Sequence, residues 1–202
     1  QQEKFDKAEG TLKGAQNLLK TNPYPSLHLA KLAKKKEDSA AERAHIDKAI
    51  EIDGEMVDSW AVLFTHLKEK GDEDSAVAEL EKIAREKKNA RPLVAVQAYY
   101  GGKEETRDQA IEAGKKALEI DADDVLALLA QSALFGQKGD LEAVVKLLQP
   151  HEAKMTRDVR LANNYFEALM QSRQIDKVTK LLNALAGSQN QQVKEFALQR
   201  SK

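Results

Sequence analysis

The sequence predicts an all-α fold, a solenoid built from paired antiparallel helices. One observation is a period of 34 residues without a gap, carried by small or β-branched apolar residues. These residues are Ala76, Ala110, Val144 and Val178. A second observation is that the apolar residues around them stand three, four and seven positions apart, which is the spacing of one buried helix face. A fixed period of this length is typical of helical repeat arrays, which commonly present a long surface to a partner.

The chain opens with a helix predicted over residues 3–21. We interpret this helix as the second helix of a partial repeat, residues 1–22. One face of it is apolar and consists of Ala8, Leu12, Ala15 and Leu19. The spacing of these residues predicts packing against the helix that follows.

The first full repeat is predicted at residues 23–56. The apolar face of its first helix consists of Leu29, Leu32 and Ala33. Ser39 and Glu42 match a capping box, so we expect Ser39 to cap the second helix, which runs to Ile52. Glu42 stands where a small residue is expected, and this predicts a local slip in register.

The clearest repeat is residues 57–90. The apolar face of its first helix consists of Trp60, Leu63, Phe64 and Leu67. Gly71-Asp72 then breaks the helix, and a second apolar stripe consists of Ala76, Leu80 and Ile83.

This repeat resembles the tetratricopeptide repeat family, whose period is also 34 residues. The resemblance rests on Trp60, Leu63, Gly71, Ala76, Leu80 and Ile83. Phe64 and Lys88 depart from the family pattern, because they replace a glycine and a proline. The resemblance covers nearly the whole chain and is strongest over residues 57–149. It implies a right-handed superhelix of about ten to twelve helices.

Three more full repeats and a final partial repeat are predicted. They are residues 91–124, 125–158, 159–192 and 193–202. Gly101-Gly102 is expected to stop the first helix of this group, and Thr106 with Gln109 matches a capping box for the next helix. Pro150 falls inside a predicted second helix and should end or kink it.

Composition excludes several classes of function. Charged residues make up 32% of the chain but the net charge is −1, so no overall field attracts nucleic acid or an anionic membrane. Cysteine is absent, which excludes disulfides and thiolate metal sites. No apolar run is long enough for a membrane-spanning helix, so we expect no membrane insertion by this segment. The compartment, cytoplasmic or periplasmic, stays open, and the start at Gln1 is compatible with a removed signal or anchor.

Catalytic and cofactor motifs are not recognisable. The histidines are scattered among the repeats: His28, His45, His66 and His151. None forms a metal-binding pair four residues apart, and we interpret them as surface or half-buried residues. Gly101-Gly102 lacks the lysine-hydroxyl tail of a phosphate loop. The basic run at residues 34–36 is followed by Glu37-Asp38, which favours a solvated helix end over a nucleic-acid site. We therefore predict no catalysis, cofactor or metal.

The resemblance also implies a partner-binding groove, because first helices of successive repeats line the concave face in this family. The residues carried over to that groove are Tyr24, Leu27, Lys31, Lys34, Asp58, Thr65, Lys68, Ala95, Tyr99, Leu126, Leu129, Ala133, Arg160, Asn163 and Glu167. Tyr99, Leu126 and Leu129 give this predicted groove an apolar centre. An exposed apolar patch marks an interface, but the same side chains could instead pack under a neighbouring helix.

One known binding mode of the family does not fit. Some members clamp the C-terminal carboxylate of heat-shock chaperones with lysine, asparagine and arginine side chains. The matching positions here are Ala61, Thr65, Val96, Leu126 and Ala130. Because these side chains carry no positive charge, we do not expect recognition of chaperone tails.

The predicted function is that of a non-catalytic adaptor. It would hold an extended peptide or a partner helix in the concave groove. The alternative is a structural subunit that self-assembles by docking its open ends on one another. Both interpretations predict protein partners, and neither predicts nucleic-acid binding.

Overall fold

The computed structural model describes residues 2–201, which contain α-helices, short 3₁₀ turns and no strand. The predicted all-α fold is therefore confirmed. The chain divides into two compact units, residues 1–99 and residues 100–202. Gln1 and Lys202, at the outer ends of the predicted partial repeats, lie outside the described residues.

The first unit contains five helices and most of a sixth. In chain order they are α1 (Gln2–Leu18), α2 (Tyr24–Lys35), α3 (Ser39–Ile52), α4 (Val57–Lys70), α5 (Glu73–Lys87) and α6 (Arg91–Gly101). Each of α1 to α5 contacts the helix next to it in the chain. Because only short turns join them, consecutive helices run antiparallel, as in other helical hairpins.

Helix α1 is shorter than predicted. It ends at Leu18, which is 86% exposed, and Leu19 is 49% exposed, so Leu19 does not belong to the apolar face. The chain turns here because the Asn22 backbone N–H donates to the Leu19 carbonyl and the Asn22 side chain accepts from the Tyr24 N–H. Asparagine side chains favour such local turns over a continued helix.

Aspartates rather than Ser39 cap the second helices of this unit. Asp38 accepts from the Ala41 N–H at 2.9 Å, and Asp72 accepts from the Ser75 N–H at 2.8 Å. The expected cap by Ser39 is wrong, because Ser39 is already the first residue of α3. A carboxylate one residue earlier is a charged acceptor for the free N–H groups of the helix start.

Glu42 does not disturb the register of α3, so the predicted slip is wrong. Helix α3 runs without interruption from Ser39 to Ile52, with the Glu42 side chain buried. Its Oε2 lies 3.1 Å from Nδ1 of His66 on α4, and that side chain is buried as well. The interpretation of His66 as a surface or half-buried residue is therefore corrected: it is the buried partner of a carboxylate.

Trp60 anchors the core of the first unit. Its side chain is 1% exposed, and its indole Nε1 donates to the Gly54 carbonyl at 2.7 Å. The Asn89 amide donates to the same carbonyl at 3.0 Å. The turn between α3 and α4 is thus tied both to α4 and to the residues that follow α5.

The second unit continues the pattern of short antiparallel helices. In chain order it contains a 3₁₀ turn (Glu104–Thr106), α7 (Arg107–Ile120), α8 (Val125–Gln137), α9 (Leu141–Leu148), a second 3₁₀ turn (Gln149–His151), α10 (Glu152–Met155), α11 (Val159–Gln171), α12 (Ile175–Ala186) and α13 (Gln191–Arg200). Helix α11 is central, because it contacts α8, α9, α10, α12 and α13. The core of the second unit contains the large side chains of Tyr165, Phe166, Met155, Leu148 and Leu161.

Two predicted helix ends are confirmed and one predicted cap is wrong. Helix α6 ends at Gly101, and α9 ends at Leu148, two residues before Pro150. Thr106 makes no side-chain cap for α7. Its hydroxyl instead donates to the Tyr100 carbonyl at 2.6 Å, because the 3₁₀ turn places that acceptor within reach.

The 34-residue period corresponds to burial. The four residues that carry it, Ala76, Ala110, Val144 and Val178, are all 6% exposed or less. Small side chains at such positions allow close approach of paired helices. The boundaries of the individual repeats stay a prediction. No helix within residues 2–201 is both long and apolar enough to cross a membrane.

Candidate functional site

The first helices of the first unit contact one another through the predicted groove residues. Tyr24 of α2 donates from its hydroxyl to Asp58 of α4 at 3.3 Å, across 34 residues of sequence. Lys34 of α2 forms an ion pair with Glu69 of α4. Thr65 is exposed between these contacts. We call this surface the first-helix face of the first unit, and define it by Tyr24, Lys34, Asp58, Thr65, Lys68 and Tyr99.

Tyr99 is the most firmly held aromatic residue of this face. It remains 40% exposed, while its ring makes a T-shaped contact with Phe64 at 4.9 Å between the ring centroids. Lys68 Nζ lies 4.5 Å from the Tyr99 ring centroid and donates to Oη at 2.7 Å. Oη in turn donates to Glu73 Oε2 at 3.0 Å.

These contacts fix both the position and the charge of the site. The hydrogen bond to Tyr99 raises the pKa of Lys68, so this lysine is positively charged at neutral pH. An aromatic ring beside a fixed cation can contact the apolar part of a peptide while the cation meets a carbonyl or a carboxylate. The side chains are therefore arranged before any partner arrives, which lowers the entropy cost of binding.

Two predicted groove residues are not on the surface. Leu27 is 4% exposed and Ala95 is 1% exposed, so neither can contact a partner. The family pattern places them on the groove side of their helices, but here they are part of the core. Lys31 is exposed on α2.

In the second unit, α8, α9 and α11 line an open pocket of about 220 Å³. Two predicted groove residues, Ala133 of α8 and Glu167 of α11, line it. The Asn164 amide of α11 donates to the Ser132 hydroxyl of α8 at 2.8 Å, which joins the two helices at the pocket. The remaining lining residues are Gly136, Leu141, Val144, Ala168 and Gln171.

Arg160 does not extend this pocket, because its guanidinium is held by Asp158 at the start of α11. Its Nη2 donates to Asp158 Oδ2 at 2.6 Å, and this hydrogen bond lowers the pKa of Asp158. Asp158 also caps α11 by accepting from the Arg160 backbone N–H. Arg160 is thus exposed but engaged in a local structural contact.

Arg200 of α13 joins the same region and was not predicted. It forms an ion pair with Glu167 at 3.0 Å and donates to the Asn163 side chain at 3.4 Å. Its guanidinium also lies 5.1 Å from the Phe166 ring centroid. Asn163 and Glu167 are therefore brought together by a residue near the end of the described chain, and no short motif in the sequence signalled this contact.

The predicted apolar centre is divided between the two units. Tyr99 belongs to the first unit, whereas Leu126 and Leu129 belong to the second. Both leucines are half-buried, and Leu129 packs against the core of its unit. Leu129 therefore fits the alternative prediction that these side chains pack under a neighbouring helix, because it contributes to the core of its unit.

Sequence reasoning also missed the supports of Tyr99. Phe64 was predicted on the apolar face of its helix and noted as a departure from the family pattern, where a glycine is expected, but its contact with the Tyr99 ring was not predicted. Glu73 lies in the second helix of its pair, whereas the predicted groove consisted only of residues in first helices. The available signal was Phe64 itself, because a large side chain at a position normally held by glycine must contact a neighbouring helix.

No cluster of three potential metal ligands occurs among the described residues. His151 Nδ1 lies 3.1 Å from Asp123, and His66 is paired with Glu42, so these two histidines each face a single carboxylate.

No protein-family model matches the sequence, and no curated protein matches it significantly. Solved structures do resemble it. Yeast Tom70 superposes on 95% of this chain with a TM-score of 0.56 and 15% identity, and the chain spans only 41% of the length of Tom70.

Two smaller structures are covered over most of their length. YrrB, described as a TPR protein, has a TM-score of 0.48 and 17% identity, with 94% of this chain and 97% of YrrB covered. PilF of Pseudomonas aeruginosa has a TM-score of 0.46 and 14% identity, with 100% of this chain and 92% of PilF covered. The helical hairpins, the buried 34-residue period and the likeness to Tom70 all support the same conclusion. The chain has the tetratricopeptide-repeat fold.

Proposed function

We propose that this chain is a non-catalytic interaction scaffold that holds an extended peptide or a partner helix against its first helices. The observation that carries the proposal is the first-helix face of the first unit, where Tyr99 is exposed but fixed by Phe64, Lys68 and Glu73. A fixed, partly exposed aromatic residue beside a cation is typical of the centre of a binding surface. The fold supports the general role, since solenoids of this kind use extended surfaces to bind other proteins.

The pocket between α8 and α11 supports the same role in the second unit. It is small, about 220 Å³, and is lined by polar groups of α8 and α11 together with apolar side chains, among them Ala133, Leu141 and Val144. Such a pocket suits one side chain of a bound polypeptide better than a whole metabolite, because pockets for small molecules commonly measure about 300–1,000 Å³.

Site-specific photo-crosslinking tests the proposal. A photoreactive phenylalanine analogue is placed at Thr65 and at Ala133, one on the first helices of each unit. Matched controls carry it at Lys82 of α5 and Ala184 of α12, which are exposed positions on second helices. We expect partner proteins from cells of the source organism to crosslink at Thr65 or Ala133 and not at the controls.

Two outcomes would contradict the proposal. Equal or stronger crosslinking at Lys82 and Ala184 would place the partner on the second helices. Crosslinking of the chain only to itself, with a molar mass above that of one chain in light scattering, would instead favour the self-assembling subunit.

A further inference from the structure

A second cleft lies between α1 and α2 of the first unit and shares Lys34 with the first-helix face. Its volume is about 650 Å³, within the range of about 300–1,000 Å³ common for binding pockets. Its lining residues are Leu12 of α1 and His28, Lys31, Leu32, Lys34 and Lys35 of α2. Only Lys31 and Lys34 were among the predicted groove residues.

The cleft combines an apolar floor with a cationic rim. Leu12 and Leu32 provide the floor, and Lys31, Lys34 and Lys35 provide the rim, with no carboxylate among the lining residues. His28 and Lys35 are seven residues apart, so along the helix the rim extends about 10 Å. Cationic and apolar groups are thus presented together over two helical turns.

The carboxylates of α1 do not neutralise this rim. Glu9 forms ion pairs with Lys13 at 2.7 Å and with Lys36 at 2.6 Å, and Asp6 lies 3.6 Å from Lys36. Lys34 is paired with Glu69 of α4. Among the described residues, no ion pair is formed by Lys31 or Lys35.

We propose that this cleft binds an acidic peptide segment that carries at least one leucine-like side chain. The proposal rests on the proposed scaffold function and names the chemistry of its partner. The apolar side chain would cover Leu12 and Leu32, and the acidic residues would meet Lys31 and Lys35. Charge complementarity favours such a segment, because several cations at intervals of about one helical turn fit several carboxylates along a chain. A fatty acid offers only one carboxylate for the three lysines.

The test is a titration followed by amide chemical shifts in two-dimensional NMR. The probe is a capped nine-residue peptide with two leucines flanked by aspartates and glutamates. Two matched peptides carry either asparagine and glutamine in place of the acids, or serine in place of the leucines. We expect the largest shifts at Leu12 and at residues 28–35 with the acidic leucine peptide only.

Paired variants separate the cleft from general electrostatics. The double variant Lys31→Glu, Lys35→Glu reverses the unpaired charges, and Lys70→Glu, Lys82→Glu makes the same charge change elsewhere in the unit. Lys35 and Lys70 are each the last residue of a first helix. Both double variants therefore place one glutamate at a helix C-terminus, where it interacts unfavourably with the helix dipole. We expect the first double variant to weaken binding by about tenfold or more, and the second by less than about twofold.

Each other outcome overturns the inference. No shift with a millimolar excess of the acidic leucine peptide, or equal shifts with the asparagine and glutamine peptide, would do so. Shifts centred on Thr65, Lys68 and Tyr99, unaffected by Lys31→Glu, Lys35→Glu, would also do so while leaving the scaffold function intact. Binding of anionic phospholipid vesicles through Lys31 and Lys35, without binding of the peptide, would identify a membrane surface as the occupant.

Discussion

At the scale of single residues, the buried pair of Glu42 and His66 shows how one side chain can depend on a partner in a neighbouring helix. Glu42 stands where Ala76 and Ala110 stand 34 and 68 residues later, and all three side chains are buried. A buried carboxylate is costly unless it has a partner, and His66 on the neighbouring helix lies 3.1 Å away. The two residues are therefore expected to depend on each other.

We expect Glu42→Ala to reduce the free energy of unfolding by about 1–3 kcal/mol, because His66 loses its partner while it stays buried. The double variant Glu42→Ala, His66→Leu should recover much of that loss, since an apolar pair can replace a buried polar pair. Urea unfolding of the single and double variants measures both effects. A double variant less stable than both single variants would show that the pair does not act as a unit.

Tyr165 provides a second prediction, on pH dependence. Burial raises the pKa of Tyr165 to about 12, and Glu152, which accepts its hydrogen bond at 3.1 Å, adds to the increase. The ordinary pKa of tyrosine is about 10, so the unfolded chain loses this proton first as the pH rises. The contribution of Tyr165 to stability is therefore complete below about pH 10 and is lost between about pH 10 and pH 12.

Comparison with Tyr165→Phe isolates this contribution from the titration of lysines. The difference in unfolding free energy between the two proteins should shrink as the pH rises from about 10 to about 12. A difference that stays constant across this window would mean that Tyr165 titrates normally in the folded chain.

At the scale of helices, the starts of the second helices show which local signals repeat. The residues preceding these helices are 34 positions apart: Asp38, Asp72, Thr106, Asp140 and Gln174. The three aspartates cap their helices through the side chain, whereas Thr106 and Gln174 do not. A side-chain cap thus recurs at three of these second helices and is missing from α7 and α12.

Gln174→Asp should supply the missing cap of α12. The backbone at Gln174 (φ −87°, ψ 60°) is close to that at Asp140 (φ −84°, ψ 71°), so an aspartate can reach the free N–H groups without strain. We expect a gain of about 0.5–1 kcal/mol in unfolding free energy. Gln174→Asn, which is polar but uncharged, is the matched comparison. Thermal unfolding measures the effect, and an unfolding temperature of Gln174→Asp equal to that of the unaltered protein would contradict the expected cap.

At the scale of the whole molecule, stability should differ between the edge and the middle of the first unit. No side chain between residues 3 and 18 of α1 is fully buried, whereas α4 buries Trp60, Leu63 and Phe64. In a repeat array, stability is close to a sum of contacts between neighbouring elements. Helix α1 therefore has the weakest support of the helices in its unit.

Hydrogen exchange measured by mass spectrometry tests this expectation. Amides of α1 should exchange much faster than amides of α4, because local opening of α1 exposes little apolar surface. Peptides from α3 provide an internal comparison of intermediate protection. Equal protection of α1 and α4 would indicate that α1 opens only when the whole unit unfolds.

The helices, their antiparallel arrangement and the period of the core could all be predicted from local sequence patterns. Helix faces follow from apolar spacing, and helix ends follow from residues such as Gly101 and Pro150, so both are local properties. Local reasoning failed where two nearby groups competed for one role, as when Asp38 rather than Ser39 capped α3.

Which residues of the predicted groove are accessible to a partner depends on the packing of the helices and could not be predicted from the sequence. Leu27 and Ala95 were assigned to the groove by the family pattern but are buried, and Tyr99 is held by Phe64 and Glu73. The cleft between α1 and α2 also emerged only from packing. The physical reason is that burial and side-chain contact depend on groups some 20 to 35 residues away, whose distance no local pattern encodes.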